Sequence, residues 1–176
     1  VKGTVVGITD GDTFTLLKKD STTIKVRLAS IDCPERKQAY SARAKEFVSD
    51  AIFGKEVEVR IQSKDRYRRY IAMVYYGRKC LNEELLKNGY AWHYKKYSKD
   101  ARLQSMEDKA RKLRRGLWAD THPVAPWKGS PLMKRYASLV GLVVLLASGT
   151  ALAVSTGGTG LSVADATGPA WVGSSV

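Results

Sequence analysis

The sequence predicts an α+β fold, a five-stranded Greek-key β-barrel of the OB type carrying three helices. Three observations point to it. Five short runs rich in β-branched and aromatic residues, broken by turn residues, fill the first 78 positions, as strands of a small barrel do. One helical stretch follows the third run and two more follow the fifth, the order of an elaborated OB barrel. The chain has 176 residues and two cysteines, which suits one domain of about 125 residues plus an appendage, with a single core and no disulfide staples.

The strands are expected at 4–9, 13–18, 23–31, 56–62 and 70–76. Val57, Val59 and Ile61 alternate with Glu58, Arg60 and Gln62, the period-two signature of a strand with one wet face. A first helix is expected over 41–53, where Ala44, Phe47, Val48, Ala51 and Ile52 recur at helical spacing and Gly54 stops the run. A second spans 81–88, with Leu81, Leu85 and Leu86 inward and Gly89 as the stop. The third runs over 101–115 with Leu103, Met106, Ala110 and Leu113 on one stripe, Asp100 as N-cap and Gly116 as the stop. The cations from Lys109 to Arg115 favour the negative end of that helix dipole and need no other explanation.

The formal net charge is +13. After Lys128 only Lys134, Arg135 and Asp165 are charged, so nearly all of the excess lies on residues 1–128. Such a domain implies a polyanionic partner, nucleic acid ahead of an anionic membrane surface. Against this basic background, Asp10-Gly11-Asp12-Thr13 ends one β-run, and Arg27 through Glu35, reading Arg-Leu-Ala-Ser-Ile-Asp-Cys-Pro-Glu, ends another. Phosphodiester hydrolysis needs a cation to offset charge, a positioned water, and donors for the phosphoryl oxygens. Asp12 and Asp32 offer hard oxygen ligands, which favour Ca²⁺ or Mg²⁺ over Zn²⁺.

These segments, with Asp65-Arg66-Tyr67-Arg68-Arg69, Asn82-Glu83-Glu84-Leu85-Leu86, Gly89-Tyr90-Ala91 and Arg115-Gly116-Leu117-Trp118, resemble a staphylococcal-nuclease-type (thermonuclease) domain in order and spacing. The resemblance covers residues 1–118 and extends toward Trp127. It implies a calcium-dependent phosphodiesterase that cuts DNA with little sequence preference and leaves 3′-phosphate ends, with RNA as a second candidate substrate and the preference between the two left open. By the same resemblance, Asp12, Asp32 and the backbone carbonyl of Cys33 bind one Ca²⁺, and Glu35 orients or deprotonates the attacking water. Arg27 and Arg69 clamp the scissile phosphate. Arg66 and Tyr67 contact a terminal phosphate, and Tyr94 and Tyr97 lie near the base-stacking tyrosines. Asp10 fixes the turn or stands behind the metal ligands, and the Cys33 thiol is a small buried group with no nucleophilic role. His93 and His122 read as surface or loop residues.

The family usually has glycine at the position of Arg68. If that glycine takes positive φ, arginine costs roughly 1 kcal/mol or more, or the turn is rebuilt. The segment 36–40 is also shorter than the exposed loop of the best-known members, and Lys37 and Gln38 can approach substrate there. The rival function is a non-catalytic OB module that binds single strands, which would have little use for the acidic cluster. The catalytic domain is expected to be monomeric, with no protein partner.

Residues 129–176 read as a separate appendage. Residues 136–154 carry no charge and follow Met133-Lys134-Arg135, long enough to span a bilayer, and they also have the basic start and Ala151-Leu152-Ala153 ending of a signal peptide. Two localisations stay open, secreted or cell-envelope associated as in the family, or a cytoplasm-facing membrane anchor from the positive-inside rule. The rest of the appendage, rich in Gly, Ser and Thr, reads as disordered.

Overall fold

The computed structural model describes residues 1–128; the appendage, with its candidate membrane span, lies outside the described residues. Strands β1 (Lys2–Asp10), β2 (Thr13–Lys18) and β3 (Thr23–Leu28) form an antiparallel meander, followed by a two-residue strand β4 (Ile31–Asp32). Helix α1 (Ser41–Ile52) leads to the β5 (Glu56–Lys64) and β6 (Tyr70–Tyr76) hairpin, then to β7 (Lys79–Cys80) and helix α2 (Leu81–Lys87). A short β8 (Trp92–His93), helix α3 (Ala101–Lys112) and two 3₁₀ turns complete the domain. The sheet order β3-β2-β1-β5-β6 closes because β3 pairs in parallel with β6. Closure removes the sheet edges and gives the five-stranded barrel.

Alternation sends Val5, Phe14, Leu16, Val26, Leu28, Val57, Val59, Ala72 and Val74 into the barrel, where they are buried with Ala44, Val48 and Ile52 of α1 and Leu81, Leu85 and Leu86 of α2. The expected five strands and three helices are all present, with ends shifted by a few residues. The run 23–31 breaks in two at Ser30, which has a φ of 65°, so β4 leaves the barrel and pairs instead with β8. Ile61 does not continue the inward face of β5. It is exposed, next to a register irregularity between Ile61 and Ser63. Helix α3 ends at Lys112, before Arg114 at a φ of 51°, and Leu113 is exposed where an inward position was expected. The expected N-cap is formed, with Asp100 accepting from the Arg102 N–H at 2.8 Å.

A second cluster of Trp92, Ala110, Leu117, Trp118 and Ala125 packs α3 and the C-terminal turns together. Within it the Arg111 guanidinium lies 3.8 Å from the Trp118 ring centroid and donates to Glu107. Gly116 closes this end of α3 at a φ of 51°, and a Cβ there would stand 2.3 Å from the Gly89 carbonyl oxygen. Only glycine allows that approach. Cys33 and Cys80 are both buried and free. Among the described residues, no helix is long and apolar enough to cross a membrane.

Candidate active site

The β1–β2 turn places Asp12. Asp10 and Thr13 are register partners, and the Asp12 N–H donates to Asp10 Oδ1 at 3.3 Å. Gly11 lies so close to its surroundings that a Cβ would meet Ala44 Cβ at 2.9 Å and the Cys33 Cβ and Sγ at 3.0 and 3.1 Å. The turn is thereby pressed against α1 and the start of the Cys33-Pro34-Glu35 segment. On β3, Arg27 pairs with Thr13 on one side and Ile71 on the other, so its side chain meets the turn. Asp32 arrives on β4, held opposite Trp92 of β8.

Arg27 joins the two aspartates. Its Nη1 donates to Asp12 Oδ2 at 2.8 Å and its Nη2 to Asp32 Oδ1 at 2.7 Å. Asp12 also accepts from the Thr13 hydroxyl at 2.9 Å and the Cys33 N–H at 3.3 Å. Both carboxylates are nearly buried, at 5% and 8% exposure. Burial opposes the charge on Arg27, but the adjacent Asp12 and Asp32 hold its guanidinium above its ordinary range. Burial raises the Asp10 and Asp32 carboxyls, and the neighbouring charges of Asp12 on Asp10 and of Glu35 on Asp32 act in the same direction. Burial, then the Asp12 and Asp32 charges, push the Cys33 thiol well up. That thiol is an inert neutral group at neutral pH.

Arg69 comes from the β5–β6 turn. Asp65 caps that turn by accepting from the Tyr67 and Arg69 N–H groups, both at 2.9 Å, and from Arg69 Nε at 2.8 Å. Arg69 Nη1 then reaches the Thr13 hydroxyl at 3.5 Å, which is itself bonded to Asp12. Arg68 has a φ of 64°, so the turn keeps the left-handed residue and arginine occupies it under strain. Arg66 and Arg69 lie over the Tyr67 ring, at 4.9 and 5.5 Å. Glu35 is exposed at the rim. Tyr94 adjoins β4 through its N–H to the Ser30 carbonyl, and its ring stacks on Trp127 at 5.4 Å and 11°. Tyr97 meets it edge-on and is 71% exposed.

Thr13 and Asp65 stand in the quoted motifs without an assigned role, and the structure makes them connecting residues, Asp65 through an Asx turn to the Tyr67 N–H. His93 is not the surface residue expected. It is buried, its ring Nδ1 lies 3.0 Å from Gln104 Oε1, and its N–H donates to Glu107. His122 is exposed as expected.

Among the described residues no three acidic, histidine or cysteine side chains converge in ligand geometry, so any ion here would take much of its coordination from backbone oxygen and water. The donors fit a hard dication nonetheless. Asp12 and Asp32 share the single guanidinium of Arg27, and burial, the main cause that raises the Asp10 and Asp32 carboxyls, opposes a charge that a bound dication would favour.

The family described as staphylococcal nuclease homologue matches residues 25–120. The chain is 45% identical over 122 residues to a protein of Haemophilus influenzae named as an uncharacterized endonuclease, covering 69% of this chain and 68% of that one. It is 39% identical over 138 residues to the micrococcal nuclease of Shigella flexneri, covering 72% and 79%. It is 35% identical over 128 residues to an uncharacterized endonuclease of Escherichia coli O157:H7, covering 72% and 83%.

Proposed function

The chain belongs to the staphylococcal nuclease family and is a nuclease, and we propose that it hydrolyses phosphodiester bonds of DNA and RNA in a calcium-dependent reaction with little sequence preference. The observation that carries the reading is the joining of Asp12 and Asp32 by Arg27. This arrangement puts two hard-oxygen donors and a phosphate-binding group at one point in a strongly basic domain.

Asp12, Asp32 and the Cys33 carbonyl are the residues that would hold Ca²⁺, which supplies positive charge to the phosphoryl oxygens when bound. Glu35 accepts the proton of the water that attacks phosphorus. Arg27 uses two of its five N–H donors on the carboxylates, and the others remain for phosphoryl oxygens. Arg69, braced by Asp65 and reaching the Thr13 hydroxyl beside Asp12, donates as well, so charge building on the phosphoryl group meets two guanidinium groups. The bond from phosphorus to the 5′-oxygen breaks and that oxygen takes a proton from solvent, leaving a 5′-hydroxyl on one fragment and a 3′-phosphate on the other. Arg66 and Tyr67 serve a neighbouring phosphate, and Tyr97, with the Tyr94–Trp127 stack beneath it, serves bases. Base stacking on an aromatic ring contributes roughly 1–3 kcal/mol and tolerates any sequence.

The test is digestion of single-stranded DNA and of RNA by the full chain with Ca²⁺ or with a chelator, followed by phosphatase treatment of the fragments. The expected result is cleavage only with Ca²⁺ and fragments whose mobility changes after removal of a 3′-phosphate. Cleavage undiminished by the chelator, or fragments with 3′-hydroxyl ends, contradicts the proposal. Binding without cleavage would assign the domain to the single-strand-binding class.

A further inference from the structure

Glu35 is held in place almost entirely by its backbone. Its segment carries no regular secondary structure from Cys33 to Tyr40, between the end of β4 and the start of α1, and includes left-handed residues at Lys37 (φ 81°) and Tyr40 (φ 66°). Among the described residues no side chain bonds to the Glu35 carboxylate. What defines the turn is a reciprocal pair of bonds to one residue. The Gln38 N–H donates to the Glu35 carbonyl at 2.8 Å, and Gln38 Oε1 accepts the Glu35 N–H at 2.6 Å. A side chain reaching back three residues to an N–H is the chemistry of a capping box, here fastening a catalytic loop instead of a helix start.

A second feature shows that this contact orients the amide. Gln38 Nε2 is buried without a hydrogen-bond partner. A buried donor left unpaired is unfavourable, yet turning the amide over would set Nε2 against the Glu35 N–H, donor against donor. The Glu35 N–H therefore dictates the orientation of Gln38, and Gln38 in turn fixes the Glu35 backbone.

We propose that Gln38 is a positioning residue for the reaction, fixing through its Oε1 the turn from which Glu35 reaches the attacking water. The inference rests on the proposed role of Glu35. Misplacement of a reacting group by about 1 Å costs on the order of a hundredfold in rate, and Glu35 has no other side-chain tether among the described residues. Gln38→Leu keeps the bulk of the side chain and removes the acceptor. Gln38→Glu keeps an acceptor at the same reach.

The experiment measures kcat, KM and amide hydrogen exchange on the full chain with Ca²⁺ and a single-stranded oligonucleotide. For Q38L the expected result is a kcat lower by about ten- to a hundredfold, as for a displaced reacting group, with KM little changed and the Glu35 amide exchanging faster. Q38E recovers most of the rate. In an E35Q background, Q38L removes no further activity, because its effect passes through the missing carboxylate. An unchanged kcat in Q38L, an equal loss on top of E35Q, or an unchanged Glu35 amide overturns the proposal. A wild-type chain inactive with Ca²⁺ instead overturns the proposed function, and the amide exchange still reports on the tether by itself.

Discussion

Replacing Arg27 by methionine removes the only cation among the described residues that is bonded to both Asp12 and Asp32 and leaves an apolar side chain of similar length. Breaking a buried ion pair from one side costs about 3–5 kcal/mol, because the abandoned charge stays desolvated. The Arg27 side chain is 19% exposed and the carboxylates somewhat less, so solvent screens part of the loss, and about 2–3 kcal/mol is expected without metal. Ca²⁺ should then stabilise the variant more than the wild type, by about 1–2 kcal/mol, because a ligand stabilises by mass action and its site no longer contains a competing cation. The assay is urea unfolding of both proteins with Ca²⁺ and with a chelator, which closes a four-state cycle. Turnover of Arg27→Met should fall about a hundred- to a thousandfold, the scale for one lost transition-state donor. The reasoning is refuted if the variant is as stable as the wild type without metal, or if Ca²⁺ stabilises both equally.

Arg68→Gly should raise stability by about 1 kcal/mol, since relief of a left-handed arginine exceeds the added chain entropy of glycine. Arg68→Ala keeps the strain and should give no gain, and both should retain wild-type kcat because the turn is already formed; thermal melts and steady-state kinetics check this. Gly11→Ala should destabilise by about 1–3 kcal/mol through overpacking against Ala44 and Cys33, and should weaken Ca²⁺ binding measured by titration calorimetry. Burial tends to raise the Asp65 carboxyl, but the Arg69 N–H and guanidinium and the Tyr67 N–H hold it below its ordinary value. Its stabilising effect is therefore complete above the unfolded value of about 4 and lost as pH falls through the lower folded value. The stability gap between wild type and Asp65→Asn should accordingly close on acidification below about pH 4, and the variant should lose activity at neutral pH as Arg69 loosens.

What was legible in the sequence was local. The barrel strands carry their own alternation, α1 its apolar face, and α3 its Asp100 cap, so each is readable within a short window. The reactive carboxylates stand in two compact motifs whose order and spacing resemble a known family. The missing features depend on contacts distant in sequence or on very short segments. Strands β4 and β8 have two residues each, too few to show a period, yet their pairing presents Asp32 to Arg27. Glu107 looks like an ordinary polar helix residue, but it is 1% exposed and accepts from both the His93 N–H and Arg111, so it occupies an inner place of α3 while Leu113 lies outside. Burial of His93 follows from that same contact. Arg68 was marked as a departure by its type, and only the backbone shows that the strained conformation is kept.

The most direct test of the site is the turnover of Glu35→Gln by the full chain at saturating Ca²⁺, beside its Ca²⁺ affinity from calorimetry. Loss of a positioned general base predicts a kcat lower by about a hundred- to ten-thousandfold, with KM and Ca²⁺ affinity close to wild type, because the carboxylate that handles the water is distinct from those that hold the ion. A kcat near wild type would contradict the assignment of Glu35, and an abolished Ca²⁺ affinity would make Glu35 a metal ligand and overturn the division of roles among the four carboxylates.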